Sequence, residues 1–184
     1  AVRFTVPGAS DVPGDGTPRK RTIGTQGLPA TIYYMAVPKH TDAVYRRVKL
    51  RNATGAPLLD GLVNLVADDT FFGQNQLVYT PQDGEIELLL GVEERITVKR
   101  EMVERQVDKR LLRDRRTVRY GYEITLKNLL TQPVTVSVED QLPVSRHDAI
   151  KVRLEAASPP PGEQSDLNIM KWSVALRPDG EQKL

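Results

Sequence analysis

The chain has 184 residues, 39% of them hydrophobic and 27% charged, which is typical of one ordinary globular domain and excludes a disordered tail or a tandem array. A net charge of +2 is too small to indicate nucleic-acid binding, because phosphate recognition needs clustered positive charge. The absence of cysteine excludes disulfides and thiolate chemistry, and the two histidines, His40 and His147, lie far apart in the chain. We therefore expect no metal and no cofactor. No apolar run approaches the roughly 20 residues of a membrane-spanning helix.

Glycines and prolines, 13 of each, divide the chain into many short apolar runs, a pattern that favours strands over helices. A brief strand at 2–6 is followed by a loop rich in glycine and proline at 8–18. The run 30–37 is β-branched and aromatic and predicts a strand that ends at Pro38. Further short strands are predicted at 44–50, 62–66, 71–72, 77–79, 86–90 and 96–98.

The clearest alternation of apolar and polar residues lies in the second half of the chain. Residues 117–128 predict a long half-buried strand, and 134–139 its antiparallel partner across a short loop. The same pattern predicts strands at 150–154 and 172–176, with Trp172 buried in the core. About ten short strands without helical repeats predict an all-β fold, an antiparallel β-sandwich.

The segment 100–116 is ambiguous, because its apolar residues are spaced by four as well as by two. A short helix therefore competes with an extended ribbon. We expect the ribbon, since both flanking segments are predicted strands and Asp108-Lys109 can form a tip. Residues 95–126 would then be a long projecting hairpin within a single domain spanning 1–184.

The stretch Glu93 to Arg119 holds ten basic and six acidic residues, a local balance of +4. Such a stretch is either a ribbon kept soluble by mixed charge or a basic finger that binds an anionic polymer. In the second case the candidate ligand-binding residues are Arg110, Arg113, Arg115 and Arg116. We do not expect nucleic acid as a partner, because aromatic residues that could stack on bases are scarce here.

Acid, hydroxyl and imidazole groups occur close together in sequence at Asp140, Ser145 and His147. A hydrolase could assemble a site from them, but no nucleophile-elbow motif accompanies them. Asp and Ser after a strand more often fix a turn by accepting hydrogen bonds from backbone amides. We therefore expect a structural motif here, formed by Asp140, Gln141, Leu142, Pro143 and Ser145.

Several segments resemble the DUF4139 family, a domain at the carboxyl end of mucoidy-inhibitor-like bacterial proteins. The resemblance covers nearly the whole chain, and its most specific run is Glu139-Asp140-Gln141-Leu142-Pro143-Val144-Ser145. The other matching segments are Val37-Pro38-Lys39, Ala43-Val44-Tyr45, Asn52, Pro57-Leu58-Leu59-Asp60-Gly61, Phe72-Gly73, Leu90-Gly91-Val92-Glu93, Ile96-Thr97-Val98-Lys99-Arg100, Tyr122-Glu123-Ile124-Thr125-Leu126-Lys127-Asn128, Ile150-Lys151-Val152, Trp172 and Leu176-Arg177-Pro178.

The resemblance implies that this chain is the last part of a longer bacterial protein with an amino-terminal domain and a coiled-coil region. It favours the periplasm or the cell envelope and supplies no catalytic residues. We expect a non-enzymatic interaction module whose partner is a protein, an envelope polymer or the amino-terminal and coiled-coil regions of the same protein. The alternatives are a hydrolase near Asp140, Ser145 and His147, and a polyanion binder that uses the basic hairpin.

Overall fold

The computed structural model describes residues 3, 5, 8, 14–18, 20–67, 69–110 and 115–184, with only the backbone described at positions 67, 70, 109, 110, 115 and 116. This part of the chain contains eleven strands and no helix, so the predicted all-β class is confirmed. The strands are β1 (Ala30–Ala36), β2 (Val44–Arg51), β3 (Gly61–Ala67), β4 (Thr70–Leu77), β5 (Glu85–Val92), β6 (Ile96–Arg110), β7 (Arg115–Asn128), β8 (Val134–Gln141), β9 (Glu163–Gln164), β10 (Ile169–Leu176) and β11 (Glu181–Lys183). No helix long and apolar enough to cross a membrane is found among these residues. The strand expected at 2–6 lies outside the described residues.

The strands form a six-stranded sheet in the order β5-β2-β1-β8-β10-β9, a three-stranded sheet in the order β11-β7-β6, and the hairpin β3–β4. β8 pairs in parallel with β1, where Tyr34 lies opposite Val136. On its other side β8 pairs antiparallel with β10, where Trp172 lies opposite Val138. The parallel β1–β8 pair was not predicted, because alternation within a strand says nothing about the direction of its neighbour.

The chain divides into two compact units, Ala1–Thr31 with Lys49–Leu88 and Ile32–Val48 with Leu89–Leu184. The first unit contains the hairpin β3–β4, whose ladder shifts register between Leu65 and Val66. The second unit contains β6 to β11 and most of the buried residues. A single domain over residues 1–184 stays a prediction.

The core of the second unit lies between its two sheets. The three-stranded sheet contributes Ile96, Val98, Ile124 and Leu126. The six-stranded sheet contributes every second residue of β8 and β10, because successive side chains of a strand point to opposite faces. These rows consist of Val134, Val136 and Val138 on β8, and Met170, Trp172, Val174 and Leu176 on β10. Apolar faces from two sheets thus share one core, which is the arrangement of a β-sandwich.

A fully buried asparagine follows β2 in the first unit. The side-chain Nδ2 of Asn52 donates hydrogen bonds to the carbonyl oxygens of Ala56 (2.9 Å), Thr80 (3.2 Å) and Pro81 (3.0 Å). Its Oδ1 accepts from the amide N of Thr54 (3.2 Å) and from the Thr54 hydroxyl (2.7 Å). The asparagine therefore fixes the chain reversal after β2 and joins it to the end of a second segment.

The second unit repeats this device after β7. The Nδ2 of Asn128 donates to the carbonyl oxygens of Gln132 (2.9 Å), Arg177 (3.1 Å) and Leu176 (3.4 Å). Its Oδ1 accepts from the amide N of Leu130 (2.9 Å), and the residue is fully buried. The local spacings match those of the first unit: each Nδ2 donates to the carbonyl four residues later, and each Oδ1 accepts from the amide N two residues later. Both units therefore contain the same asparagine corner.

Each corner is completed by an Asp-Gly turn. The amide N of Asn52 donates to the carbonyl of Gly84, and that of Asn128 donates to the carbonyl of Gly180, both at 2.9 Å. A Cβ atom at either glycine would lie 2.8 Å from an atom of the same turn, closer than real Cβ contacts. Both turns therefore need glycine, because there is no space for a Cβ atom.

The strand predicted at 150–154 is wrong. These residues form no strand, and Ile150 is exposed to solvent. Both edges of β8 are already occupied, by β1 and β10, so the segment that follows β8 cannot pair with it. The segment is instead held by Leu154 and Ala157, which pack against the core.

The predicted ribbon is present as the hairpin β6–β7, which we call the ribbon, and the helical alternative for 100–116 is wrong. The ladder runs from Ile96 opposite Asn128 to Arg110 opposite Arg115, with a bulge between Met102 and Glu104. The expected tip at Asp108-Lys109 is also wrong, because these residues pair with Thr117 and Arg116. Residues 111–114, which follow the last described residue of β6, lie outside the described residues.

Glu93, at the bend before β6, gives the second unit a pH-dependent contribution to stability. Its carboxylate accepts a hydrogen bond from the Arg95 guanidinium at 2.8 Å, and this bond outweighs burial to lower the pKa of Glu93 below its ordinary value of 4.5. A lowered folded-state pKa stabilises the protein above about pH 4.5, and this contribution is lost as the pH falls through the folded-state pKa. When urea unfolding is measured at pH 7 and at pH 3.5, the stability lost between the two pH values should be smaller for Glu93→Gln than for the wild type. An identical pH dependence in both proteins would contradict the assignment.

Candidate interaction surface on the ribbon

The three groups that a hydrolase would need are not arranged for catalysis. The Ser145 hydroxyl donates to the carbonyl of His147 (2.8 Å) and accepts from the amide N of His147 (3.1 Å). The His147 Nδ1 accepts from the amide N of Ala149 at 3.2 Å. The hydroxyl proton is thus directed at a backbone carbonyl, whereas a nucleophilic serine must give its proton to a base. Asp140 bonds to neither residue and is buried, while Ser145 and His147 lie at the surface.

The last residues of β8 and those that follow it make contacts typical of a fixed strand end. Oδ1 of Asp140 accepts from the amide N of Gln141 at 2.7 Å. The Gln141 side chain donates to the carbonyl of Leu167 (3.0 Å), and the amide N of Leu142 donates to the carbonyl of Asn168 (3.1 Å). The carbonyl of Pro143 lies 3.5 Å from the Asn168 side-chain amide. These bonds join the end of β8 to the chain that leads into β10.

At the base of the ribbon, Arg100 forms an ion pair across the sandwich. Its Nε donates to Oδ2 of Asp140 at 2.9 Å, and its guanidinium carbon lies 3.6 Å from the centroid of the Tyr122 ring. The side chains of Arg100 and Asp140 are 18% and 8% exposed. Arg100 continues the core-facing row of Ile96 and Val98, so the pair closes the end of the core at the point where the ribbon leaves it.

Beyond Arg100 the core-facing side of the ribbon continues as a largely apolar surface, which also carries Arg105 opposite Tyr120 and which we call the inner face. Alternation along β7 and cross-strand pairing place its side chains together. Its large exposed members are Met102 (53%), Tyr120 (53%), Tyr122 (38%) and Val107 (37%). Apolar and aromatic side chains gathered on one face and left in water mark an interaction surface.

The opposite side of the ribbon, the outer face, carries charged residues that pair with one another. Lys99 contacts Glu101 at 2.8 Å, and this hydrogen bond raises the pKa of Lys99. Arg119 lies between Asp108 (3.6 Å) and Glu155 (2.9 Å). A face with internally matched charges is suited to solvent.

The basic residues chosen from sequence fall at the far end of the ribbon. The backbones of Arg110, Arg115 and Arg116 belong to the ladder, but their side chains and all of Arg113 lie outside the described residues. The proposal that they bind a ligand stays a prediction.

Two depressions of about 650 and 470 Å³ lie on the second unit. The first is lined by 133–135, 175–177 and 180–182, and the second by 32–34, 132–135, Ser137 and Ser173. Neither is lined by Asp140, Ser145 or His147, the groups that the hydrolase hypothesis needs. No group of three or more metal-ligating side chains is found within the described residues.

Sequence reasoning missed Arg100, although a signal was present. Arg100 occupies a core-facing position two residues after Val98, and Asp140 occupies one two residues after Val138. A buried charge must be paired. Two opposite charges, each at the next core-facing position of an apolar strand, could therefore have indicated the ion pair.

Comparison with known proteins gave one match. The family model described as "Domain of unknown function (DUF4139)" matches residues 1–184, the whole chain. No curated protein and no solved structure matched.

Proposed function

Because this chain belongs to the DUF4139 family, whose description gives no reaction or ligand, we propose its function from the ribbon: a non-enzymatic interaction module that binds an extended acidic segment of a partner protein. The observation that carries this proposal is the exposed inner face. Met102, Tyr120 and Tyr122 continue the core row yet remain in solvent. Covering large apolar side chains contributes about 1.5–3 kcal/mol each when burial is complete.

The shape of the ribbon favours an extended partner. In the described part of the chain β6 pairs only with β7 and forms the edge of the three-stranded sheet. A peptide strand added to such an edge gains main-chain hydrogen bonds, and its alternate side chains can rest on the inner face.

Charge favours an acidic partner. The stretch from Glu93 to Arg119 has a balance of +4, and several of its acids already contact basic residues. β6 has five basic and three acidic residues, and this net positive charge disfavours pairing with a second copy of the same strand. A segment of opposite charge has no such penalty.

The proposal is tested by panning random short peptides, displayed on phage, against the domain. We expect enrichment of peptides that alternate apolar with other residues and contain Asp or Glu. A variant with Met102→Ser, Val107→Thr and Tyr120→Ser should bind an enriched peptide at least about tenfold more weakly, about 1.4 kcal/mol. The matched outer-face variant Gln106→Ala, Thr117→Ala should bind within about twofold of the wild type, which is less than about 0.5 kcal/mol.

Two results would overturn the proposal. One is the absence of enriched acidic peptides, and the other is equal loss of binding in the inner-face and outer-face variants. Retention of the domain on heparin, with a steep dependence on salt and no peptide enrichment, would instead identify a polyanion binder.

The outer part of the ribbon should be dispensable for folding. Replacing residues 106–119 by Asn-Gly leaves the pair Arg105–Tyr120 to flank a tight hairpin turn. We expect this variant to unfold within a few degrees of the wild type in a thermal melt, because, among the described side chains of the ribbon, the buried ones all lie nearer its base. Failure to fold would show that the removed segment contributes to a core.

A further inference from the structure

We propose that Arg100 anchors the docked segment and that its two Nη atoms bind the carboxylate of an Asp or Glu side chain. This inference rests on the proposed function and names the residue that recognises the acidic group.

The guanidinium of Arg100 is fixed from two sides. Its Nε is held by Asp140 at 2.9 Å, and its plane lies over Tyr122, with 3.6 Å between the guanidinium carbon and the ring centroid. A side chain held in this way has little conformational freedom left to lose on binding.

The terminal donors of Arg100 remain available. Among the described residues, Nε–Asp140 is its one hydrogen bond, so neither Nη atom has a partner there. No buried side-chain nitrogen or oxygen in the same part of the chain lacks a partner. Both Nη atoms therefore reach solvent.

The two Nη atoms form a free edge whose geometry is complementary to that of a carboxylate. Two parallel N–H···O bonds can form at once, and such charge-assisted pairs are stronger and more specific than neutral ones. Asp140 offsets the charge of Arg100, so recognition here depends on this fork geometry more than on long-range attraction. Tyr122 and Met102 flank the guanidinium with apolar surface, which suits the neighbouring side chains of a peptide.

The test compares two short fluorescein-labelled peptides in which leucine and threonine alternate around one central residue, glutamate or glutamine. On the wild type, fluorescence anisotropy should show at least about tenfold weaker binding of the glutamine peptide, because it cannot accept two charge-assisted bonds. Arg100→Lys should remove this difference, since the introduced lysine has a single side-chain nitrogen and Asp140 engages it. The control Arg119→Lys, at an arginine of the outer face whose Nε also donates to a carboxylate, should keep it.

The inference is overturned if Arg100→Lys still distinguishes the two peptides. The proposed function would survive that result, provided that the inner-face variant still weakens binding. Binding of a galacturonate trimer at the same site, without binding of the glutamate peptide, would overturn the assignment to a protein segment.

A second measurement covers the case in which Arg100→Lys fails to fold or neither peptide binds. The Nε–H signal of Arg100 in the wild type is followed by NMR during titration with N-acetylglutamate. A saturable shift, absent with N-acetylglutamine, supports the anchor even if the peptide proposal fails. The same shift with both compounds, or with neither, overturns it.

Discussion

Replacing Trp172 by alanine is expected to lower the free energy of unfolding by about 3–5 kcal/mol. Trp172 is 7% exposed in the core of the second unit, and its Nε1 donates to the carbonyl of Pro159 at 3.0 Å. The substitution leaves a cavity and removes a hydrogen bond in one step. Urea unfolding followed by far-UV circular dichroism measures the loss without depending on the removed fluorophore.

The variant Trp172→Phe separates the two contributions. Phenylalanine keeps an aromatic ring in the core but cannot donate a hydrogen bond to Pro159. Trp172→Phe should therefore lower the free energy of unfolding by less than Trp172→Ala does. A loss below about 1 kcal/mol for alanine would place Trp172 outside the cooperative core, because buried aromatic residues typically contribute more.

Replacing Asn128 by alanine is expected to lower the free energy of unfolding by about 3 kcal/mol or more. The substitution removes hydrogen bonds to three carbonyls and one amide at a fully buried position, and each buried polar group without a partner costs about 1–3 kcal/mol. The same urea titration measures the effect.

Two controls test the cause. Asn128→Asp keeps an acceptor for Leu130 but sets a carboxylate against the carbonyls of Gln132 and Arg177, so it should also be strongly destabilising. Asn64→Ala, at an exposed asparagine of β3, should change stability by less than about 0.5 kcal/mol. Equal effects at 64 and 128 would show that burial of the asparagine does not determine its contribution.

The strands that carry clear alternation could be predicted from the sequence, because period-two burial leaves a direct record in residue types. The alternating row at 118–126 is the clearest example, and it also supported the prediction of the ribbon. The same reasoning failed at 150–154, because both edges of the preceding strand, β8, are already occupied. Whether an edge is available depends on the order of strands, which in this fold includes a parallel pair between distant segments.

The candidate site was harder to predict, since its residues come from separate strands. Arg100 and Asp140 are 40 positions apart, and only the packing of two sheets brings them together. The basic balance of the ribbon was visible in the sequence, but the apolar character of one face depends on where the core ends. The repeated corner left a readable signal, an asparagine after a strand and a later Asp-Gly-Glu, at Asn52 with 83–85 and at Asn128 with 179–181.

The parallel pair between β1 and β8 also affects how the chain can fold during synthesis. Tyr34 and Val136 are roughly a hundred residues apart, so β1 leaves the ribosome long before its partner exists. Closing such a long loop before its contacts form is costly, and folds rich in distant pairings fold slowly. One edge of β1 can pair early with β2, but its other edge stays unpaired until β8 has been made.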